Sequence, residues 1–206
     1  MCSSDLISVE SAAAFPVRLV ESGPAGGAIF AADIAARYGR NRVVSFDMGG
    51  TTAKISLIDD FRPSTAKTFE VDRTARFKKG SGMPISIPVI EMIEIGAGGG
   101  SIAGVDMLGQ IRVGPLSAGS EPGPAAYGLG GTRPTVTDAN LILGRLSVDS
   151  FGAPGIDLVK KAARTALADH VATPLEMDVE TAAVGVTEVV DENMANAARV
   201  HAVESV

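Results

Sequence analysis

The sequence is poor in cysteine, in tryptophan and in aromatic residues generally. Cys2 is the only cysteine among 206 residues, there is no tryptophan, and aromatic residues make up 4% of the chain. A single cysteine excludes a disulfide within the chain and favours a reducing, cytoplasmic location. Because rings are so few, the core has to be built from aliphatic residues, and the hydrophobic share of 46% is sufficient for one.

Long apolar runs and clustered positive charge are also scarce. No stretch of about 18 apolar residues exists, so we expect no membrane span, and the first six residues lack the features of a signal peptide. The formal net charge is −6. An acidic balance argues against a nucleic-acid or anionic-membrane partner, since both require clustered lysine and arginine. The basic cluster within residues 73–79 is more typical of a solvated loop than of a site.

The first half of the chain predicts strands around one helix. Pro16–Glu21 is a candidate strand. Ser22 is a candidate N-cap for a helix over Ala25–Tyr38, and Gly39 is a suitable C-cap. The compact apolar run Val43–Phe46 predicts a buried strand, and alternation over Ala53–Ile58 predicts its hairpin partner.

The second half predicts an irregular segment followed by helices. Residues 66–74 are a candidate third strand, and Ile85–Ile95 is a strand-like run interrupted by Pro88. The glycine- and proline-rich stretch Gly96–Gly131 predicts a long excursion with little regular structure. Three helices are then expected, namely Asp138–Gly144 capped by Thr137, Ile156–His170, and one from Val179 to the end with apolar residues at helical spacing.

The most informative motif is Asp47-Met48-Gly49-Gly50-Thr51-Thr52, between two predicted strands. Two glycines permit a turn that brings backbone N–H groups against a phosphate without interference from Cβ atoms. Threonine hydroxyls add donors, and a carboxylate at a strand end can hold a hydrated Mg²⁺ ion. The alternative is a plain Asp/Gly β-turn, and the six residues alone do not decide between the two.

Two other nucleotide motifs are excluded. Gly98-x-Gly100-x-x-Ala103 matches a dinucleotide-binding fingerprint, but that fingerprint requires a helix directly after it. Residues 104–109 contain two glycines and no helical apolar stripe. A P-loop is absent because no Gly-Lys-Ser/Thr occurs.

Five strings of residues, in order, resemble the hydantoinase A/5-oxoprolinase family, over about residues 16–206. The order of helix, strand, Asp-x-Gly-Gly-Thr and strand is similar to the second half of the nucleotide fold shared by actin, hsp70 and sugar kinases. The strings are Ser22–Gly27, Phe46–Thr52, Glu94–Ala103, Ser117–Ala125 and Pro134–Asn140. The implied fold is an α/β, ribonuclease-H-like (actin/hsp70-type) lobe with a mixed β-sheet, a Gly/Pro-rich insertion and C-terminal helices.

The resemblance implies an ATP-dependent enzyme that opens a cyclic amide such as a hydantoin or 5-oxoproline. An unstrained cyclic amide is a poor electrophile, and phosphorylation of its oxygen by ATP creates a leaving group. A B-type subunit or domain is the implied partner. Two alternatives stay open, an ATP-using subunit of a ketone carboxylase and a non-enzymatic nucleotide-binding switch.

The resemblance also implies roles for particular residues. Contact with the ATP phosphates falls to Asp47, Gly49, Gly50, Thr51 and Thr52, with Asp47 holding Mg²⁺ through water. Residues expected to line the cleft, with backbone donors for phosphate or substrate, are Gly98, Gly99, Gly100 and Ser101. Asp138 is either a first-turn acid of a helix or a carboxylate of the cleft. Many family members carry a histidine where this chain has Ile93 and a cysteine where it has Ala126.

The same resemblance predicts that these residues are part of a longer protein. A nucleotide fold of this kind has two lobes, and only one Asp-x-Gly-Gly-Thr occurs here. The final predicted helix reaches Val206 without a stop signal. We therefore expect residues 1–206 to be one nucleotide-binding lobe, without the first lobe and the adenine loop, and inactive by itself.

Overall fold

The computed structural model describes residues 8–19, 22–71, 82–149, 151 and 155–204. The chain divides into two compact units, residues 1–47 with 54–93 and residues 48–53 with 94–206. The short turn at 48–53 therefore belongs to the second unit, although the strands on either side of it lie mainly in the first.

The first unit combines two helices with short strands. The helices are α1 (Val9–Ala14) and α2 (Ser22–Arg37), with a 3-10 turn at Pro16–Leu19. The strands are β1 (Arg42–Met48), β2 (Ala53–Asp59), β3 (Arg62–Pro63), β4 (Thr65–Ala66), β5 (Phe69–Val71), β6 (Met83–Ile85) and β7 (Val89–Ile90). The next strand, β8 (Ile93–Ile95), begins at the last residue of this unit, and its other two residues belong to the second unit. β1, β2 and β3 pair in that order. β4 pairs with β7 and β5 with β6, both antiparallel.

Helix α2 packs against β3 and β7 through small side chains. Ala28, Ala32 and Ala35 are its buried residues, at helical spacing. The helix begins at Ser22, earlier than predicted, so Ser22 lies within it. Gly39 adopts φ of 61°, which confirms the predicted left-handed C-cap.

One strand prediction in this unit is wrong, one is right in position but wrong in burial, and one lies partly outside the described residues. Pro16–Leu19 is a 3-10 turn instead of a strand. β1 forms where expected, but Val44 and Phe46 are 54% and 50% exposed, so this strand is not buried. β5 falls within the predicted third strand, whereas residues 72–74 and the whole basic cluster lie outside the described residues.

The second unit is a hairpin covered by helices. Its strands are β9 (Ser101–Val105) and β10 (Ile111–Ser117), which pair antiparallel, followed by a 3-10 turn at Ala125–Tyr127. The helices are α3 (Val136–Ile142), α4 (Lys160–Leu167) and α5 (Val179–Glu204). A π-helical turn, Ala168–Ala172, and a 3-10 turn, Thr173–Leu175, extend α4. The core lies where the helices meet the hairpin, with Leu141, Leu167 and Val186 fully buried.

The segment Gly96–Gly131 is more regular than its composition predicts. Its first part forms the β9–β10 hairpin, connected by a turn in which the Asp106 carboxylate accepts hydrogen bonds from the N–H groups of Leu108 and Gln110. Gly109 in this turn adopts φ of 72°. An aspartate three residues before a glycine is a turn signal that the sequence contained.

The three helices form close to their predicted positions, and two of them begin at a different residue from the one predicted. α3 begins at Val136, and its N-cap is Thr135 instead of Thr137. α4 begins at Lys160, four positions after the predicted start. α5 begins at Val179 as predicted. Among the helices in the described ranges, none combines the length and hydropathy needed to cross a membrane.

Candidate functional site

The turn between β1 and β2 is accessible from one side. Gly49, Gly50 and Thr51 are exposed, Thr52 is half-buried and Ala53 is fully buried. The Gly49 N–H donates to the Thr52 carbonyl oxygen at 2.8 Å and closes the turn. In the described part of the chain, no acceptor takes the N–H of Gly50 or of Thr51. These two neighbouring backbone N–H groups are therefore available as donors, and such an arrangement suits an anion.

The glycine string at 98–100 supports this turn from its other side. The Gly99 N–H donates to the Gly49 carbonyl oxygen at 2.9 Å, and the Gly100 N–H donates to the Gly50 carbonyl oxygen at 2.6 Å. A Cβ atom on Gly98 would lie 2.7 Å from the Gly49 oxygen, and one on Gly100 would lie 2.9 Å from the Gly50 oxygen. Real Cβ atoms essentially never approach so closely, so only glycine allows the two backbones to meet.

The N–H groups of the string are therefore not free donors. Besides the two bonds to the turn, the Gly98 N–H donates to the Ser101 Oγ at 2.9 Å. In this arrangement each of these groups already has an acceptor, so donation to phosphate or substrate stays a prediction. Gly98, Gly100 and Ser101 are buried, and their predicted position along a cleft stays a prediction.

The first turn of α3 contacts the same string. The Thr137 N–H donates to the Gly99 carbonyl oxygen at 2.8 Å. A Cβ atom on Gly99 would lie 2.8 Å from the Thr137 Oγ1. Gly99 is thus enclosed between the β1–β2 turn and the N-terminus of α3.

Asp138 holds the N-terminus of α3 in place. Thr135 and Asp138 form a reciprocal capping box, in which the Thr135 N–H donates to Oδ2 of Asp138 at 2.8 Å. The Thr135 hydroxyl donates to the same oxygen at 2.8 Å. Of the two alternatives for Asp138, the structure shows the first-turn acid, since the side chain is fully buried. The pattern Thr-x-x-Asp is the signal that could have identified Thr135 as the cap.

Asp138 also binds the segment that precedes α3 in the chain. The N–H groups of Ala125 and Ala126 donate to its two carboxylate oxygens, at 3.2 and 2.7 Å. Burial raises the pKa of Asp138, although the hydrogen bonds from Thr135, Ala126 and Ala125 oppose that rise. Ala126 is itself fully buried.

The Ser117–Ala125 string completes the assembly. The Ala118 N–H donates to the Gly100 carbonyl oxygen at 2.8 Å, and a Cβ atom on Gly100 would also lie 2.9 Å from the Ser117 Oγ. The second unit therefore brings together the β1–β2 turn, the 96–103 string, the 117–126 segment and the first turn of α3.

Asp47 lies next to this assembly in the chain. It is the penultimate residue of β1, it is exposed, and it belongs to the first unit. No three His, Cys, Asp or Glu side chains in the described ranges come close enough to hold a metal ion together. A Mg²⁺ ion at Asp47 would take its other ligands from water and phosphate oxygens, as this ion prefers.

A separate cavity of about 450 Å³ opens in the second unit. Its polar lining comes from Thr132, Lys161, Thr165, Asp169 and His170. None of the predicted site residues lines it. The candidate site is therefore the turn and not this cavity.

Comparisons with known proteins agree with the resemblance found in the sequence. The family model described as hydantoinase/oxoprolinase matches residues 1–205. Caprolactamase subunit alpha of Pseudomonas jessenii is 39% identical over 89% of this chain. The acetophenone carboxylase gamma subunit of Aromatoleum aromaticum is 37% identical over 87% of it. The relatives thus include enzymes named for a cyclic amide and for a ketone.

Solved structures agree on the fold. Nucleotide-free acetone carboxylase superposes with a TM-score of 0.72 over 89% of this chain and 25% of its own, at 29% identity. The ATP-dependent caprolactamase of Pseudomonas jessenii superposes with a TM-score of 0.68 over 85% of this chain and 24% of its own, at 39% identity. These superpositions confirm the predicted mixed α/β class with C-terminal helices.

The chain spans a quarter of the length of the two named relatives, 25% of the caprolactamase subunit and 24% of the carboxylase subunit. An uncharacterised protein of Methanocaldococcus jannaschii is 41% identical over 98% of this chain and 30% of its own length. Since the family model covers nearly the whole chain, the chain belongs to the hydantoinase/oxoprolinase family.

Proposed function

We propose that the protein uses ATP to activate the oxygen of a cyclic amide for hydrolytic opening of the ring. The observation that carries this proposal is the β1–β2 turn, whose exposed Gly50 and Thr51 N–H groups have no acceptor among the residues that the structure describes. Such a turn suits the phosphates of a nucleotide. The proposal is also supported by relatives named caprolactamase and 5-oxoprolinase, the latter in Saccharomyces cerevisiae and 39% identical over 66% of this chain.

In the proposed reaction, the amide oxygen attacks the γ-phosphorus of ATP and the bond to the ADP oxygen breaks. Water then adds to the activated ring carbon, and the carbon–nitrogen bond breaks as the nitrogen takes up a proton. A second water completes release of the phosphate. The sum is cyclic amide, ATP and two waters giving the ring-opened amino acid, ADP and phosphate.

In this scheme, residues 47–52 act on the nucleotide and not on the ring. The N–H groups of Gly50 and Thr51 would stabilise charge on the phosphates during transfer. Thr51 and Thr52 would add hydroxyl donors. Asp47 would hold Mg²⁺ through water, and the ion would supply charge neutralisation at the transferring phosphate.

We infer that this chain contributes one nucleotide-binding lobe of the complete site. It spans 24% to 30% of the length of three relatives and 10% of the yeast 5-oxoprolinase, so other parts of the protein would contact the adenine and the ring. Relatives named as alpha, beta and gamma subunits support a partner subunit. A B-type hydantoinase subunit is the partner we propose.

The test uses protein expressed from the complete open reading frame, together with any neighbouring B-type subunit. ADP formation is measured with hydantoin, N-methylhydantoin, 5-oxoproline and caprolactam. We expect one cyclic amide to stimulate it, and Asp47→Asn to reduce the stimulated rate by about 100-fold, as loss of charge stabilisation does. Asp59→Asn is the control, because Asp59 is an exposed strand-end carboxylate paired with Arg42 at 3.5 Å. Absence of stimulation by every cyclic amide would reject the hydrolase assignment.

A ketone carboxylase subunit is the second candidate. It is supported by the superposition on acetone carboxylase, with a TM-score of 0.72. ADP formation that requires bicarbonate together with a ketone, and that ignores cyclic amides, would favour it. The Asp47→Asn effect is expected in both cases because both reactions use ATP, so the substrate panel decides between them.

A further inference from the structure

The β1–β2 turn is held in place by hydrogen bonds from residues outside it. Its two glycine carbonyl oxygens accept hydrogen bonds from Gly99 and Gly100. Those residues are held from behind by other elements of the second unit, Gly99 by Thr137 and Gly100 by Ala118. The position of the turn therefore depends on residues outside the turn itself.

Gly99 is the position at which this dependence can be tested. A Cβ atom on Gly98 or Gly100 would meet carbonyl groups of the turn, which cannot be removed by substitution. A Cβ atom on Gly99 would instead meet the Thr137 Oγ1 at 2.8 Å, and the next atom, the Gly49 oxygen, lies at an ordinary 3.8 Å. The conflict at Gly99 is thus with one side-chain atom of the first turn of α3.

Asp138 fixes that turn of α3. Its carboxylate receives four donors, from the backbone of Thr135, Ala125 and Ala126 and from the Thr135 hydroxyl. Because the side chain is fully buried, loss of these bonds cannot be replaced readily by water. These bonds fix the N-terminus of α3, and they therefore fix the position of Thr137 next to Gly99.

We propose that Thr137 and Asp138 are positioning residues for the phosphate-binding turn, acting through Gly99. That the turn binds phosphate rests on the proposed function. The dependence of the β1–β2 turn on α3 rests on the contacts alone. Thr137 sets the space at Gly99, Gly99 contacts Gly49, and Gly49 leads into the exposed donors at Gly50 and Thr51. The Asp138 carboxylate joins the segment at residues 125–126 to the N-terminus of α3 through its hydrogen bonds.

The test is a compensating pair of substitutions in the protein expressed from its complete open reading frame. Gly99→Ala adds the methyl group that collides with Thr137, and Thr137→Ala removes the atom with which it collides. Gly104→Ala is the matched control, since Gly104 lies in the adjacent strand β9 and a Cβ atom there would meet nothing within 4 Å. Two readouts are taken, hydrogen–deuterium exchange of a peptide spanning residues 47–53 without nucleotide, and the KM for ATP.

We expect Gly99→Ala to speed exchange at residues 47–53 and to raise the KM for ATP, each by about tenfold, because a loosened support opens the turn more often. Thr137→Ala alone should change both by about threefold or less, and the double variant should return to within about threefold of wild type, because neighbouring substitutions are not additive. Gly104→Ala should match wild type in both readouts.

A merely structural role would give a different result. If Gly99→Ala lowers the melting temperature while exchange at 47–53 and the KM stay unchanged, the positioning proposal is wrong. A double variant as impaired as Gly99→Ala would also overturn it. If exchange follows the expected pattern while neither these variants nor Asp47→Asn affects the KM or turnover of ATP, the linkage holds and the proposed phosphate role of the turn is rejected.

Discussion

Two glycine-rich strings of this chain carry the resemblance to the family, and the atoms around them differ. Gly23, Gly26 and Gly27 lie in the first two turns of α2, and a Cβ atom at any of them would meet nothing within 4 Å. At Gly98, Gly99 and Gly100, a Cβ atom would lie within 3 Å of another atom. Gly98 and Gly100 are glycine because backbones touch there, and Gly99 is glycine because the Thr137 Oγ1 lies opposite it. Nothing in the described residues of this chain explains the first.

The comparison shows that glycine content alone does not identify a ligand site. The 98–100 string resembles a phosphate-binding loop in composition, but its N–H groups are engaged within the protein. The turn at 49–52 keeps the unengaged donors. The string supports the turn, and the turn is the surface offered to a ligand.

The largest effect is expected at Gly98. Gly98→Ala places a methyl group 2.7 Å from the Gly49 oxygen and 2.8 Å from the Gly50 carbonyl carbon. Because backbone has to move, we expect a loss of about 3 kcal/mol in the free energy of unfolding, measured by urea denaturation. Gly104→Ala is again the control. A Gly98→Ala protein as stable as this control would contradict the close approach of the two backbones.

Asp138→Asn is expected to have the next largest effect. An amide nitrogen cannot accept the hydrogen bonds that one of the two carboxylate oxygens receives, so at least one buried N–H group loses its partner. We expect a loss of about 2–3 kcal/mol in the same denaturation assay. Asp178→Asn is the matched control, since Asp178 accepts from the Thr181 N–H at an exposed helix start and asparagine caps as well as aspartate. Equal losses in both variants would argue against Asp138 as a buried hub.

The stability advantage conferred by Asp138 should also depend on pH. Burial raises its pKa above the ordinary value of 3.8, so the folded state binds the proton more tightly than the unfolded state. Protonation therefore stabilises the fold, and the advantage of wild type over Asp138→Asn should be largest below pH 3.8. It should fall as pH rises, and become constant above the raised pKa. Denaturation of both proteins across this range measures the slope, and an advantage that grows with pH would contradict the sign.

The smallest effect, with the opposite direction, is expected in the other string. Gly27→Ala adds a methyl group in open space within helix α2. Because alanine favours a helix interior over glycine, we expect a gain of about 0.5–1 kcal/mol in the free energy of unfolding. A loss at Gly27 would show that another surface covers it, and the difference between the two strings would then disappear.

Much of the fold could be predicted from the sequence where the periodicity was long. The apolar spacing of Val179–Glu204 located α5, and the strand–turn–strand pattern located β1 and β2. The β9–β10 hairpin was missed because glycine and proline suggested irregular chain, although Asp106 and Gly109 marked its turn. The exposure of Val44 and Phe46 could not be predicted, since an apolar run does not show whether its faces are covered.

The motif of the candidate site could be predicted from the sequence, but the contacts that hold it in place could not. A turn at Gly49–Thr52 after a strand follows from residue types, whereas its contact with phosphate, and that of Asp47, stays a prediction. Whether Gly98–Gly100 serve conformation, ligand contact or close packing depends on which atoms lie opposite, and no local pattern contains that information. The cap at Thr135 is different, because Thr-x-x-Asp could have been recognised before the helix was seen.

The central claim is that the β1–β2 turn contacts the phosphates of ATP. Hydrogen–deuterium exchange of the protein from the complete open reading frame, with and without saturating Mg²⁺ and a non-hydrolysable ATP analogue, tests it most directly. The account predicts that the analogue slows exchange of the Gly50 and Thr51 amides, and that Asp47→Asn weakens analogue binding. Analogue binding detected by calorimetry, with exchange at residues 47–53 unchanged, would contradict it.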